Sequence, residues 1–439
     1  MNDTTERSKS ETGMRAVRVA LVVALLAWVG SGTAQADDPD GNWWYQALGV
    51  PQAQAEGITG KGVAVAVIGR GISPDLPVLA DAHLRVHEPS MCPDPNDSDY
   101  LDGKPFSATS PNNTQLTWYA TNLIALIVGN GDHPSGRESI SGVAPEADVR
   151  FYATDNAESE ISPAYYCDDV DGAIARAIVQ AVDDKARVIL VVEAVSSEPN
   201  PEIAEAVAYA VHEDVILVVP TDPSTAWMSG LNGVVGVWYS DSNGPGRKEG
   251  AEQYGRTVVT VLGSQIMVEG RYLPLGGPWE ETSLQGGDLY AAALAAGVLA
   301  DVAQKWPRAT NNQLIQTLIR NTGQDDHDLV YYDDQAGYGQ ADLLHMLRVD
   351  PTGYEDTNPL VVADDGQDLG LTEQNIRHAS RPAWADDPAS TPTPEPTQSL
   401  DVNDFGAPGL LWAVLGLVAA VTVGLIYYLV RRRGLPLSR

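Results

Sequence analysis

One serine of this 439-residue chain precedes a predicted helix and could react through its hydroxyl group. Ser283 lies in the run Glu-Thr-Ser-Leu at residues 281–284, and the alanine-rich residues 289–305 are predicted to be helical. A serine hydroxyl is a weak nucleophile unless an adjacent base accepts its proton. Asp288 and His133 could each be that base. A plainer role for Ser283 is that of a small residue that caps the N-terminus of the helix.

Two apolar runs are predicted to be buried strands that position this region. Residues 62–72 read GVAVAVIGRGI and residues 215–222 read VILVVPTD, and both end in turn-like sequence. Strands that are covered on both faces read as continuous apolar runs, as these do. Predicted strands and helices alternate without a clear break from about residue 42 to residue 347. This alternation predicts one α/β domain with a mostly parallel central sheet.

The motifs resemble those of subtilisin-like serine proteases in order and spacing. Residues 62–72 match the family's strand V-A-V-I-D-x-G, and residues 141–149 match G-V-A-P-x-A. Residues 215–222 match the strand V-V-V-V-A-A-A-G-N. Residues 281–284 match the G-T-S that precedes a helix, and residues 338–342 match the closing turn of the domain. The resemblance covers about 300 residues. It implies the subtilisin-like three-layer fold, in which helices cover both faces of the sheet.

On this alignment three of the four catalytic positions are replaced. Gly69 stands at the aspartate position, and Tyr119 stands at the histidine position, in Y-A-T-N-L-I-A against the family's H-G-T-H-V-A-G. Asp222 stands at the position of the asparagine that donates to the oxyanion, where a carboxylate would repel negative charge unless it were protonated. Only Ser283 keeps its family identity. The resemblance therefore implies a catalytically inactive relative, since loss of triad members costs several orders of magnitude in rate.

Three alternatives follow from the same residues. Sedolisins share the fold and have an aspartate at the oxyanion position, which Asp222 matches, but their helix carries glutamate and aspartate where this chain has Tyr119 and Leu123. An active serine endopeptidase would use Ser283 with a non-standard base. A purely structural subunit would not use the cleft at all. The histidines nearest the altered motifs, His83, His87 and His133, are predicted to be solvated loop residues.

The ends of the chain predict export and membrane attachment. Arg15 and Arg18 precede an apolar run that ends at Ala34-Gln35-Ala36, which is typical of a cleaved secretory signal. Residues 409–430 contain no charged side chain and are followed by three arginines, as in a spanning helix with its C-terminus inside the cell. The predicted order is a signal peptide (1–36), an N-terminal arm (37–61), a subtilisin-like domain (62–349), a linker rich in Pro, Ser, Thr and Asp (350–407), a transmembrane helix (408–430) and a cytoplasmic tail (431–439).

This order is similar to that of the mycosins, which are membrane-anchored subtilases of actinobacterial type VII secretion systems. The resemblance implies a single-pass protein of the cell membrane with an extracytoplasmic domain. It also implies protein partners in the secretion complex, where the domain would serve as a scaffold, and it leaves open a peptide in the old cleft. Mycosins carry disulfides in loops around the domain, and the resemblance implies that the two cysteines, Cys92 and Cys167, pair with each other.

The net negative charge of the chain disfavours polyanionic partners. The chain has 59 acidic and 27 basic side chains, so nucleic acid and anionic lipid are poor partners for its ectodomain. The acidic runs at residues 94–102 and 355–368 match no calcium-ligand spacing and are predicted to be solvated loops. No metal site and no cofactor are predicted.

Overall fold

The computed structural model describes residues 41–92, 106–133, 135–136, 138–157, 167–246, 255–271, 278–323, 330–363 and 371–386. The predicted signal peptide, transmembrane helix and cytoplasmic tail lie outside these residues. Within the described ranges, no helix combines the length and the apolar composition that crossing a membrane requires.

The helices and strands alternate along the chain as the sequence predicts. In chain order they are α1 (Trp43–Ala47), α2 (Val50–Ala55), β1 (Ala64–Gly69), β2 (Leu84–His87), α3 (Gln115–Val128), β3 (Asn130–Asp132), β4 (Glu138–Ser141), β5 (Asp148–Ala153), α4 (Val170–Asp183), β6 (Val188–Val191), α5 (Pro201–His212), β7 (Ile216–Pro220), α6 (Ala226–Ser229), β8 (Val235–Asp241), β9 (Gly244–Pro245), β10 (Val259–Leu262), β11 (Ile266–Glu269), β12 (Thr282–Gln285), α7 (Asp288–Lys305), α8 (Asn311–Arg320), α9 (Leu343–Arg348) and α10 (Glu373–Arg377).

A mostly parallel sheet forms the centre of the domain. Its strand order is β10-β8-β7-β6-β1-β5-β2, and every neighbouring pair in this series is parallel. The short strand β9 adds to β8 in the antiparallel direction. Two antiparallel hairpins, β3-β4 and β11-β12, lie outside this sheet.

Helices cover both faces of the sheet, so the predicted α/β architecture with a mostly parallel sheet is confirmed. Val65 and Val67 of β1 belong to the core that contains α3 and α7, whereas Ala66 and Ile68 belong to the core that contains α4 and α5. Alternate residues of a strand point to opposite faces, which explains this division. Burial on both faces also explains why β1 and β7 consist of continuous apolar residues.

Two contacts outside the sheet, a buried tryptophan and a disulfide, also hold the domain together. Trp44 of α1 is fully buried in the core that contains α3 and α7, so this part of the predicted N-terminal arm packs against the domain. Cys92 and Cys167 form a disulfide across 75 positions of sequence, as the resemblance implied. Closing a loop of this length stabilises a fold by roughly 4 kcal/mol on the chain-entropy account.

The predicted linker begins too early, because much of residues 350–386 packs against the domain. Thr310 Oγ1 donates to Asp356 Oδ1 at 2.6 Å, and Trp384 Nε1 donates to Glu205 Oε2 at 2.8 Å. Three widely spaced apolar side chains of this segment are buried, namely Leu360, Leu371 and Ile376. Their spacing in polar sequence gives no periodic pattern, so composition alone predicted a tether.

Candidate functional site

Two of the residues predicted to replace the catalytic set lie near the carboxyl ends of strands β1 and β7, which β6 separates in the central sheet. Gly69 is the last residue of β1, and Asp222 follows β7 by two positions. Tyr119 lies in the second turn of α3. In open parallel sheets, ligands bind outside the carboxyl ends of the strands, so this edge is the candidate site.

Gly69 faces the helix that carries Tyr119. A Cβ atom added at Gly69 would lie 3.3 Å from the Cβ of Ala120 and 3.2 Å from Cγ2 of Val192. Position 69 is therefore directly beside the start of the Y-A-T-N-L-I-A motif, as the alignment requires. Both contacts are tighter than ordinary van der Waals packing, so any larger side chain at position 69 requires its neighbours to shift.

Tyr119 packs as an aromatic residue in a partly buried position. Its ring meets the ring of Trp118 edge-on, with 5.0 Å between the centroids. Tyr290 of α7 is buried nearby, and burial together with the neighbouring Tyr119 raises the pKa of Tyr290 well above its usual value. The Tyr290 phenol therefore stays protonated near neutral pH and is not a general base there.

Asp222 meets Asp288, the first residue of α7. Oδ1 of Asp222 accepts hydrogen bonds from the backbone N–H and the hydroxyl of Ser224, both at 2.5 Å. Asp288 is buried, and burial together with the Asp222 carboxylate raises the pKa of Asp288 to about 7. Two adjacent carboxyl groups cannot both ionise cheaply, so this pair holds one proton around neutral pH.

The structure places Ser283 in a strand and not at the start of a helix, contrary to its interpretation as a helix cap. Ser283 lies in β12 opposite Val268 of β11, and its hydroxyl donates to the backbone carbonyl of Gly270 at 3.2 Å. The helix begins only at Asp288, after Gly287, whose φ of 137° suits glycine. Ser283 is therefore not brought into the position that a helix-borne nucleophile would occupy.

A second charged group at the same edge was not anticipated from the sequence. Arg70 donates to Oδ2 of Asp155 through Nε at 3.2 Å and through Nη2 at 2.7 Å, and Oε2 of Glu193 lies 3.8 Å from its Nε. Burial raises the pKa of Glu193 to about 7 despite the nearby guanidinium. These residues follow β1, β5 and β6, which are neighbours in the sheet. The signal that could have found them was their common place just after apolar strands.

The prediction that His133 is a solvated loop residue is wrong. His133 is buried, and its Nε2 lies 3.1 Å from Oε2 of Glu269, which is also buried. An ion-pairing partner 136 positions away explains how a histidine in polar sequence can be buried. Within the described ranges, no three or more His, Cys, Asp or Glu side chains are grouped so that they could hold a metal ion.

Solved structures with a similar fold are subtilisin-like proteases. Fervidolysin from Fervidobacterium pennivorans, a keratinolytic enzyme related to subtilisin, is 22% identical with a TM-score of 0.53, and the match covers 70% of this chain and 45% of fervidolysin. A protease from Pseudoalteromonas arctica is 19% identical with a TM-score of 0.53, and the match covers 71% of this chain and 98% of that protease.

The MycP3 protease from the type VII (ESX-3) secretion system is 21% identical with a TM-score of 0.48, covering 69% of this chain and 87% of MycP3. No protein-family model matches the chain, and no curated protein matches it significantly. The strand order, the two helical layers and the likenesses to fervidolysin and to the Pseudoalteromonas arctica protease together identify the fold of this chain as subtilisin-like.

Proposed function

We propose that this chain is a subtilisin-fold pseudoprotease. The observation that carries the proposal is the residue series at the start of α7, because Gly287-Asp288-Leu289 stands there and a serine does not. We assign Leu289 to the nucleophile position in place of Ser283. Together with Gly69 and Tyr119, this assignment removes the acid, the base and the nucleophile from one site.

The carboxyl pair also opposes the chemistry of peptide cleavage. Acyl transfer requires hydrogen-bond donors aimed at the developing oxyanion. Asp222 and Asp288 share one proton near neutral pH and carry a negative charge between them. The same charge favours a cationic side chain, so the cleft would suit an extended peptide with a basic residue better than it suits an oxyanion.

The proposed role is that of a membrane-anchored scaffold of the mycosin type in a type VII secretion complex. Its support is the order of segments in the sequence: a secretory signal, the subtilisin-like domain, a proline-rich stretch and an apolar run followed by arginines. On this proposal the ectodomain lies outside the cytoplasm and the chain ends inside the cell. The packing of residues 350–363 and 371–386 on the domain supports a scaffold role, because it enlarges the folded surface that a partner could contact.

Catalytic inactivity is tested with the full-length chain and a fluorescein-labelled casein substrate. We expect no cleavage above the buffer control, and the Ser283→Ala variant should behave identically. Cleavage that Ser283→Ala abolishes would establish an active endopeptidase with a non-standard base and would overturn the proposal. Cleavage retained in Ser283→Ala would mean that another residue of the chain is the nucleophile, and it would also overturn the proposal.

The scaffold role is tested by affinity purification of the tagged chain from native membranes. Co-purification of secretion-complex components, unchanged in Ser283→Ala, is the expected result. Recovery of the chain without those components would overturn the mycosin-type role and leave the pseudoprotease assignment standing. Protease treatment of intact cells should cleave residues 387–407, and protection of that segment would contradict the proposed topology.

A further inference from the structure

A serine, a histidine and a glutamate form a linear relay between the β3-β4 hairpin and the end of β11, the strand that pairs with the strand of Ser283. Ser135 Oγ lies 2.6 Å from Nδ1 of His133. On the other side of the ring, Nε2 of His133 lies 3.1 Å from Oε2 of Glu269. The side chains of His133 and Glu269 are 0% and 1% exposed, whereas Ser135 is exposed.

The backbone fixes which ring nitrogen carries the proton. The N–H of Ser135 donates to Nδ1 of His133 at 2.9 Å, and a backbone N–H can only donate. Nδ1 is therefore the unprotonated nitrogen in this arrangement, and Nε2 carries the hydrogen and lies 3.1 Å from Oε2 of Glu269. A serine hydroxyl thus faces the basic nitrogen of an imidazole whose other nitrogen lies beside a buried carboxylate.

Glu269 is held in place by α3. Oδ1 of Asn122 accepts from the backbone N–H of Glu269 at 2.7 Å, and Nδ2 of Asn122 donates to the carbonyl of Glu269 at 3.0 Å. Both groups of Asn122 are buried. This double contact, together with the pairing of β11 and β12, fixes the end of β11 against the helix, so that the carboxylate reaches the imidazole from a rigid support.

We infer that Ser135 is a reactive nucleophile toward small, unhindered carboxylic esters, with His133 as its general base and Glu269 as the residue that positions and stabilises the imidazolium. The arrangement has the order of groups that activates serine in hydrolases, namely hydroxyl, imidazole and carboxylate. The exposed position of Ser135 favours a small acyl group over an extended peptide, because the hydroxyl lies at the surface.

The proposed step conserves atoms and protons. Oγ of Ser135 bonds to the ester carbonyl carbon while its proton passes to Nδ1 of His133. The protonated Nδ1 no longer accepts from the Ser135 N–H, which becomes available to donate to the oxyanion. The carbon–oxygen bond to the alcohol then breaks, and the alcohol takes the proton from Nδ1. Water attacks the acyl-serine in the same way, which releases the carboxylic acid and restores the hydroxyl.

This inference goes beyond the proposed function and does not depend on it. The old cleft can lack peptidase activity whether or not Ser135 reacts. A label on Ser283 would count against the pseudoprotease proposal, whereas a label on Ser135 would leave that proposal intact. The two serines are thus distinguished by the site of modification.

In the experiment, the full-length chain is treated with a fluorophosphonate probe, and the adduct is located by mass spectrometry of peptides. The rate at which the probe abolishes hydrolysis of p-nitrophenyl acetate is measured in parallel. Variants are Ser135→Ala, Ser283→Ala as the matched serine control, and Glu269→Gln. Ser135 is exposed, so its replacement by alanine leaves no cavity. Glutamine keeps an oxygen that can accept from Nε2–H while removing the charge.

We expect an adduct on Ser135 in the wild type and in Ser283→Ala, and no adduct in Ser135→Ala. Glu269→Gln should slow the labelling step by on the order of 10-fold to 100-fold at saturating probe, with the probe concentration for half-maximal rate unchanged. The absence of an adduct on Ser135 would overturn the inference. Equal labelling rates in wild type and in a folded Glu269→Gln variant, verified by thermal melting, would reduce Ser135 to an ordinary surface serine.

Discussion

Two regions of the domain bury carboxyl groups in opposite ways. At the carboxyl edge of the sheet, Asp288 faces another carboxyl group, that of Asp222, and holds a proton near neutral pH. At the β3-β4 hairpin, Glu269 faces the imidazole of His133 at 3.1 Å. A buried charge is tolerated when a partner of opposite charge or a hydrogen-bond donor meets it, and it is costly otherwise.

The two regions therefore offer different chemistry. On the proposed function, the carboxyl ends of the strands hold a carboxyl pair where a subtilisin-like protease would hold its catalytic set. The β3-β4 hairpin and the end of β11 together hold a hydroxyl, an imidazole and a carboxylate. Carboxyl groups alone therefore do not mark an active site, and the partner of each carboxyl group decides its role.

The largest effect is expected from removing the paired carboxylate. Glu269→Ala leaves a cavity and removes the carboxylate beside Nε2 of the buried His133, so the free energy of unfolding should fall by about 3–5 kcal/mol. Chemical denaturation of the full-length chain measures this change. Glu269→Gln should lose clearly less, since its amide oxygen can still accept from Nε2–H. Equal losses in the two variants would show that the contact does not depend on that hydrogen bond.

Removing one member of the carboxyl pair should instead increase the free energy of unfolding. The pKa of Asp288 is raised to about 7 in the folded state, so its ionisation lowers stability as pH rises from about 4 to about 7, and the full penalty remains above that. Asp288→Asn should therefore increase the free energy of unfolding by about 2–4 kcal/mol at pH 9 and change it little at pH 4. Unfolding curves at both pH values test this, and a pH-independent difference would contradict the shared proton.

A smaller gain is expected at a third buried carboxyl group. Asp301 of α7 is 0% exposed, and burial raises its pKa well above the usual range, with only partial compensation from the backbone N–H of Gly60. Asp301→Asn should stabilise the domain by about 1–3 kcal/mol at pH 7, and the gain should vanish as pH falls to the usual aspartate pKa. A destabilised variant at pH 7 would mean that the carboxylate has a partner of its own.

The sequence was sufficient for the elements whose apolar runs are long. The helix predicted at residues 289–305 begins one residue earlier in the structure, at Asp288, and ends as predicted at Lys305. It is a continuous segment, and most of its residues are buried. The placement of Gly69 beside Ala120 also agrees with the alignment, because the glycine turn and the helix motif are each several residues long.

The features that the sequence did not predict depend on contacts between residues far apart in the chain. The burial of His133 requires Glu269, and no local pattern around either residue reveals the other. Ser283 was misplaced because the three letters Glu-Thr-Ser resemble Gly-Thr-Ser, although the glycine that precedes α7 is Gly287. A match of three letters identifies a similar residue, but it does not determine how far that residue lies from the start of the helix, which here begins five positions later.

On the proposed topology, the packing of residues 350–363 and 371–386 shortens the stretch that links the domain to the membrane. A free tether of residues 350–407 would have a fully extended reach of about 200 Å, from about 3.3–3.6 Å per residue. With the segment docked through Trp384 on Glu205, only residues 387–407 remain before the apolar run, and their fully extended reach is about 70–75 Å. On the proposed topology, the domain would be confined to a shallow zone above the bilayer, where membrane-embedded partners are concentrated.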